Sequence, residues 1–196
     1  FSELARVGHH PSYIFRGHKA DIYEGGHRVP FVVRWPDKIL PGQVSEEIIC
    51  TTDLMATVAE IINFKLPSNA GEDSYSLLPL FEDGKLEKPL RESTVHHSID
   101  GRFAIRQGDW KLILWPGSGG WSYPHLPGDL EGLPNFQLYN LSADPGEENN
   151  LIEEHAEKAM SMKKLLASYV RSGRSTPGDS QTNDGEVKWK QLEWMD

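Results

Sequence analysis

With 196 residues, 38% of them hydrophobic, the chain is long enough to bury a core and to hold one or two domains. A formal net charge of -9 argues against a nucleic-acid binder, whose phosphate contacts need clustered Lys and Arg, and no apolar run approaches the length of a membrane span. The single cysteine, Cys50, excludes an internal disulfide framework.

The first distinctive segment runs Arg16-Gly17-His18-Lys19-Ala20-Asp21-Ile22-Tyr23-Glu24-Gly25-Gly26-His27-Arg28-Val29-Pro30. It concentrates cations, two adjacent glycines and acids in a turn, an arrangement by which an α/β protein presents charge to an anionic ligand. Residues 31–35 follow as a short β-rich run ended by Pro36, which predicts a buried strand. If that strand belonged to a larger sheet, its exposed edge would favour oligomers. From Asp53 onward Leu54, Met55, Val58, Ala59, Ile61 and Ile62 recur at helical spacing, so a helix is predicted over 52–64 with Thr51, Thr52 or Asp53 as N-cap.

Residues 66–91, rich in breakers, read as a linker with a short helical piece over 77–81. Strands are predicted over 93–99, 102–106, 110–114 and 137–141, and Asp100-Gly101 and Gly108-Asp109 supply turns that imply an antiparallel sheet. A helix over 153–172, ended by Gly173, would pack across one face of it. The tail after Arg174 reads as irregular, with Trp189 and Trp194 as candidate anchors. A boundary near Leu90 divides the chain into 1–90, 91–175 and an irregular 176–196.

The 16–30 segment resembles the sulfatase family, the arylsulfatase-like branch of the alkaline phosphatase superfamily. Members carry an R-G-x-K-x-x-x-x-E-G-G-x-R-x-P block, and Arg16, Gly17, Lys19, Glu24, Gly25, Gly26, Arg28 and Pro30 match it. The resemblance continues through Asp53-Leu54-Met55-Ala56-Thr57, Phe103-Ala104-Ile105-Arg106, Trp110-Lys111-Leu112, Gln137-Leu138-Tyr139-Asn140-Leu141 and Asp144-Pro145-Gly146-Glu147-Glu148. It implies an α/β fold: residues 1–90 as the C-terminal remnant of a large alkaline-phosphatase-like domain, then a small antiparallel sheet packed with a C-terminal helix. It also implies hydrolysis of sulfate esters with a formylglycine nucleophile and calcium.

No Ser or Cys among the 196 residues begins the family's C/S-x-P-x-R motif, so the chain is read as a fragment, inactive alone and with no cofactor bound to it. The implied partner is a sulfated small molecule or glycan, and the implied compartment is periplasmic, extracellular or lysosomal. Alternatives are a non-catalytic module binding sulfated glycan and a fragment of a related phosphoryl hydrolase.

By the same resemblance Lys19 is the catalytic, sulfate-contacting residue, a compact cation able to meet non-bridging oxygens and stabilise charge moving to the leaving oxygen. His18 beside it and His97, one of the His96-His97 doublet on a predicted strand, are candidate substrate contacts; sheet packing explains the doublet almost as well. Glu24 and Arg28 are placed to pair with each other or with Arg16 and hold the turn. The loop 115–124, with Trp115, Trp121 and Tyr123, is either a sugar subsite or a loop folding its own tryptophans inward. The acidic runs Glu46-Glu47, Glu147-Glu148 and Glu153-Glu154 read as solvated faces or helix starts. No metal site is expected.

Overall fold

The strands β1 (Thr94–His97), β2 (Phe103–Gln107), β3 (Trp110–Ile113) and β4 (Gln137–Asn140) lie side by side in chain order, with β2, β3 and β4 paired antiparallel. In this computed structural model residues 2–83, 86–185 and 189–195 are described. The two-residue turn between β2 and β3 places Gly108 at a φ of 58°, as a tight hairpin requires.

Register decides which side chains share a face. Ala104 and Arg106 of β2, Lys111 and Ile113 of β3, and Gln137 and Tyr139 of β4 fall on one face. Ala104, Ile113 and Tyr139 pack there with Ile22, Tyr23 and Leu141, so the segment after Lys19 closes over that face. The opposite face carries Phe103, Ile105, Leu112 and Leu138, all buried. Toward it come His155, whose ring meets Trp110 at 4.9 Å, and Lys158, whose Nζ donates to Gln107 Oε1 at 2.8 Å.

The helices are α1 (Ser2–Arg6), α2 (Glu24–His27), α3 (Leu54–Ile61), α4 (Leu78–Asp83) and α5 (Ala156–Ser172). Gly173, at a φ of 66°, terminates α5 where the sequence places the stop. Trp189 and Trp194 both pack edge-on against Phe103, at 5.5 and 5.9 Å, and Lys190–Met195 forms a 3₁₀ turn rather than an irregular tail.

The chain forms two compact units that interleave along the sequence. One comprises Phe1–Val29, Val95–Leu166 and Glu186–Asp196; the other comprises Pro30–Thr94 and Ala167–Gly185.

Within the second unit the predicted helix starts as a 3₁₀ turn, Thr51–Asp53, and ends at Ile61. Asn63 at a φ of 54° and the Phe64 N–H donating to the Ala59 carbonyl at 2.8 Å close its C-terminus earlier than apolar periodicity suggests. Asp53 does not cap α3. Its carboxylate accepts from the N–H groups of Cys50 (2.7 Å) and Tyr75 (3.0 Å) and pairs with Arg91.

The strand expected over 31–35 is absent: the run forms no pairing among the described residues, and Val32 is 90% exposed. A strand is stable only where neighbours satisfy its backbone and cover its faces, and local β-propensity does not supply them. The sheet edge expected there, and the oligomer inferred from it, lose their basis.

Candidate functional site

The motif residues 16–21 form a tight turn closed on itself. The His18 N–H donates to Asp21 Oδ2 at 2.8 Å, and the Asp21 N–H donates to the His18 carbonyl at 3.0 Å, which leaves Lys19 and Ala20 at the tip. Gly17, at a φ of 74°, is required sterically as well as conformationally, because a Cβ there would stand 2.9 Å from Asp21 Oδ2.

Asp21 is fully buried, and the 115–124 loop is built around it. The N–H groups of Trp121 and Ser122 donate to Oδ1 at 2.7 and 3.0 Å, the Ser122 hydroxyl donates to Oδ2, and His18 Nδ1 lies 2.8 Å from Oδ2. Burial alone would raise the Asp21 pKa, but the hydroxyl and N–H of Ser122 and the N–H groups of His18 and Trp121 outweigh it and hold the carboxyl below its ordinary value. The result is a fixed anion that clamps loop to turn.

A second polar cluster lies beneath. Lys111, fully buried on β3, places Nζ 3.1 Å from Glu24 Oε1 and 2.9 Å from Glu147 Oε1. Glu24 also takes Arg28 Nε at 2.8 Å and Arg106 Nη1 at 3.5 Å. Burial works against the Glu24 carboxylate, but Lys111 and Arg28 hold its pKa down at about 2. Glu147 goes the other way, pushed up by burial that Lys111 only partly offsets. Glu24, with three cationic neighbours, is the ionised carboxylate of the pair, and Glu147 is the more readily protonated.

Glu147 joins the motif helix directly, accepting the Glu24 N–H at 2.6 Å, while its own carbonyl accepts Arg16 Nη1 at 2.8 Å. The expectation that Glu147 sits on a solvated face is therefore corrected: it is fully buried, with ion-pair and backbone partners that offset its desolvation. Glu148 beside it is exposed. Arg16 does not pair with Glu24; it lies over the Tyr23 ring at 4.0 Å.

Lys19 is exposed at the turn tip and enters no ion pair among the described residues. His18 lies next to it, its ring held between Asp21 and the Ser122 hydroxyl, which is 2.7 Å from Nδ1. His97 is placed elsewhere in the same unit, against Phe103 at 4.1 Å and stacked on Trp189 at 6.2 Å. Its doublet partner His96 meets His27, with ring centroids 4.7 Å apart. Burial pushes the His27 pKa down to about 4 and that of His96 well below its ordinary value, with Lys111 adding to both.

Among the described residues no three His, Cys, Asp or Glu side chains gather to hold a metal ion, so the calcium implied by the resemblance finds no such donor set here. No helix among them is long and apolar enough to cross a membrane.

Sequence reasoning missed Asp21, Ser122, Lys111 and Glu147 as site-building residues. Lys111 left a signal, standing in phase with Ile113 on an otherwise apolar strand; the Asp21–Ser122 contact left none, because it spans 101 positions.

The family described as N-sulphoglucosamine sulphohydrolase, C-terminal, matches residues 17–172. An N-acetylgalactosamine-6-O-sulfatase of Bacteroides thetaiotaomicron is 36% identical over 164 residues, which is 82% of this chain and 31% of that protein. The human steryl-sulfatase is 38% identical over 154 residues, 70% of this chain and 26% of the relative. A solved structure reported under the metabolism of multiple glycosaminoglycans by Bacteroides thetaiotaomicron superposes with a TM-score of 0.69 at 35% identity, covering 83% of this chain and 33% of the other. The chain thus spans about a third of the length of the relatives it matches. It belongs to the sulfatase family and corresponds to that family's C-terminal portion.

Proposed function

We propose that this chain is the C-terminal part of a sulfatase that hydrolyses sulfate esters, with a sulfated carbohydrate as its substrate. The observation that carries this reading is the clamped 16–21 turn, which presents the matched Lys19 to solvent at its tip while Asp21 fixes its base. A sulfate ester spreads one negative charge over its non-bridging oxygens, and an ammonium group meets them without demanding bidentate geometry. As the S–O bond breaks, the same cation stabilises charge moving to the leaving oxygen.

The carbohydrate assignment draws support from the N-acetylgalactosamine-6-O-sulfatase among the relatives and from the glycosaminoglycan context of the solved structure. His18 and His97 are assigned to the substrate side. Residues 1–90 are assigned to the larger α/β domain and 91–175 to a small sheet-and-helix subdomain. The formylglycine nucleophile and calcium of the family are assigned to sequence beyond these 196 residues, and the working compartment to the periplasm, the lysosome or the cell exterior.

The test uses the longer polypeptide that carries this chain at the length of its relatives. Sulfate release is measured from N-acetylgalactosamine 6-sulfate, a steryl sulfate and an aryl sulfate. The carbohydrate ester is expected to give the highest kcat/KM, and Lys19→Ala to lower it by about 10²- to 10³-fold, the loss typical of one oxyanion-stabilising donor. Preference for the steryl ester overturns the substrate class. Hydrolysis by the 196-residue chain alone overturns the assignment of the nucleophile elsewhere.

A further inference from the structure

The loop around Asp21 treats its aromatic residues differently. Trp115 lies inward against the core, with the Arg102 guanidinium carbon 3.4 Å from its ring centroid, whereas Trp121 and Tyr123 are 53% and 73% exposed. An indole left in water forgoes the transfer free energy of its large apolar surface.

Trp121 is exposed without being loosely held. Its N–H donates to Asp21 Oδ1 at 2.7 Å, and the preceding Gly120 admits that approach because a Cβ there would stand 2.5 Å from the same oxygen. Flanking bonds fix the segment further: the Ile22 N–H donates to the Ser118 carbonyl at 2.8 Å, and the Asp100 N–H to the Gly119 carbonyl at 3.2 Å. The indole meets the His18 ring edge-on at 6.4 Å, and His18 is the residue before Lys19.

We propose that Trp121 is a sugar-stacking platform, on which the pyranose ring rests by its C–H face while the ester sulfate reaches Lys19. The proposal rests on the assignment of Lys19 to sulfate and adds to it the residue that selects a carbohydrate leaving group. A pyranose offers one face of C–H groups, and the π face of an indole is matched to them without any charge. Asp21 is the positioning residue, because one carboxylate holds both the turn bearing Lys19 and the backbone bearing Trp121.

The test follows the indole N–H signals of the 196-residue chain by two-dimensional NMR, with Trp121→Ala identifying the signal of interest. N-acetylgalactosamine 6-sulfate, N-acetylgalactosamine and inorganic sulfate are titrated separately. The sulfated sugar is expected to move the Trp121 signal. Trp121→Ala is expected to weaken its binding about 3- to 10-fold, with Trp121→Phe restoring most of the loss. Inorganic sulfate is expected to bind Trp121→Ala as it binds the unaltered chain, and to lose its binding in Lys19→Ala.

A still Trp121 signal alongside Lys19-dependent sulfate binding overturns the platform and leaves the sulfate assignment standing. A signal moved equally by both sugars, with Lys19→Ala binding the sulfated one normally, supports the platform and overturns the assignment of Lys19.

Discussion

In the sheet-bearing unit Ile105, Leu112, Ile113 and Leu138 are sealed from water, whereas along α3 in the other unit Leu54, Met55, Val58 and Ile61 stay exposed while Thr57 and Asp53 are buried. The reason lies in where hydrogen bonds converge. Thr57 Oγ1 donates to the Asp53 carbonyl at 2.6 Å and accepts the Leu77 N–H at 2.9 Å, and Ser74 Oγ accepts the Ala56 N–H and donates to the Thr52 carbonyl, each at 2.8 Å. The polar side of α3 is thus knitted to residues 74–77, and its apolar stripe is left facing water. Apolar periodicity identifies a helix; it does not identify which side of that helix is covered.

The contrast can be broken most forcefully at the buried charges. Lys111→Met leaves Glu24 and Glu147 facing each other without their shared cation, and an unfolding titration is expected to show a loss of about 3–5 kcal/mol. A loss below about 1 kcal/mol would mean that Arg28 and Arg106 suffice for Glu24 and that Glu147 simply protonates.

Next in size is the apolar core. Leu112→Ala is expected to cost about 2–5 kcal/mol, because the cavity opens inside a packed sheet. Ile62→Ser in the second unit, at a side chain 65% exposed, is expected to change stability by no more than about 0.5 kcal/mol. Equal losses at the two positions would show that the α3 face is covered in solution.

Acid sharpens the comparison, since all eight histidines lie within the sheet-bearing unit. The fold holds His27 and His96 neutral, with His27 down at about 4, so between about 6.5 and 4 the unfolded chain binds more protons than the folded one. Stability is full above the upper limit and falls as pH drops through the window. Glu24, at about 2, keeps its charge through this range and loses its contribution only under stronger acid. Hydrogen exchange resolved by residue is expected to quicken first in β2 and β3, and His27→Gln is expected to flatten that response. Exchange quickening first around α3 would refute the assignment.

Much of this fold is legible in the sequence, because its elements are locally encoded. The first three strands carry their own turns at Gly101 and Gly108, and α5 carries both its apolar face and its stop at Gly173. The run at 31–35 misleads because β-propensity promises a strand that only neighbouring backbone can complete. The candidate site divides in the same way. Lys19 is found through a contiguous block of residue types, while its support comes from Asp21 meeting Ser122 and from Lys111 meeting Glu24, contacts between distant positions that no local pattern encodes.

Glu147 carries a last consequence, because it occupies a backbone conformation, φ 52°, that non-glycine residues rarely adopt. A protein engineer seeking robustness would try glycine there and gain about 1 kcal/mol of relaxed geometry. The same exchange deletes one of the two anions on Lys111 and the acceptor for the Glu24 N–H. The melting temperature of that single variant therefore weighs torsional ease against charge neutralisation at one residue, and a fall would show that this backbone is kept awkward for the sake of its carboxylate.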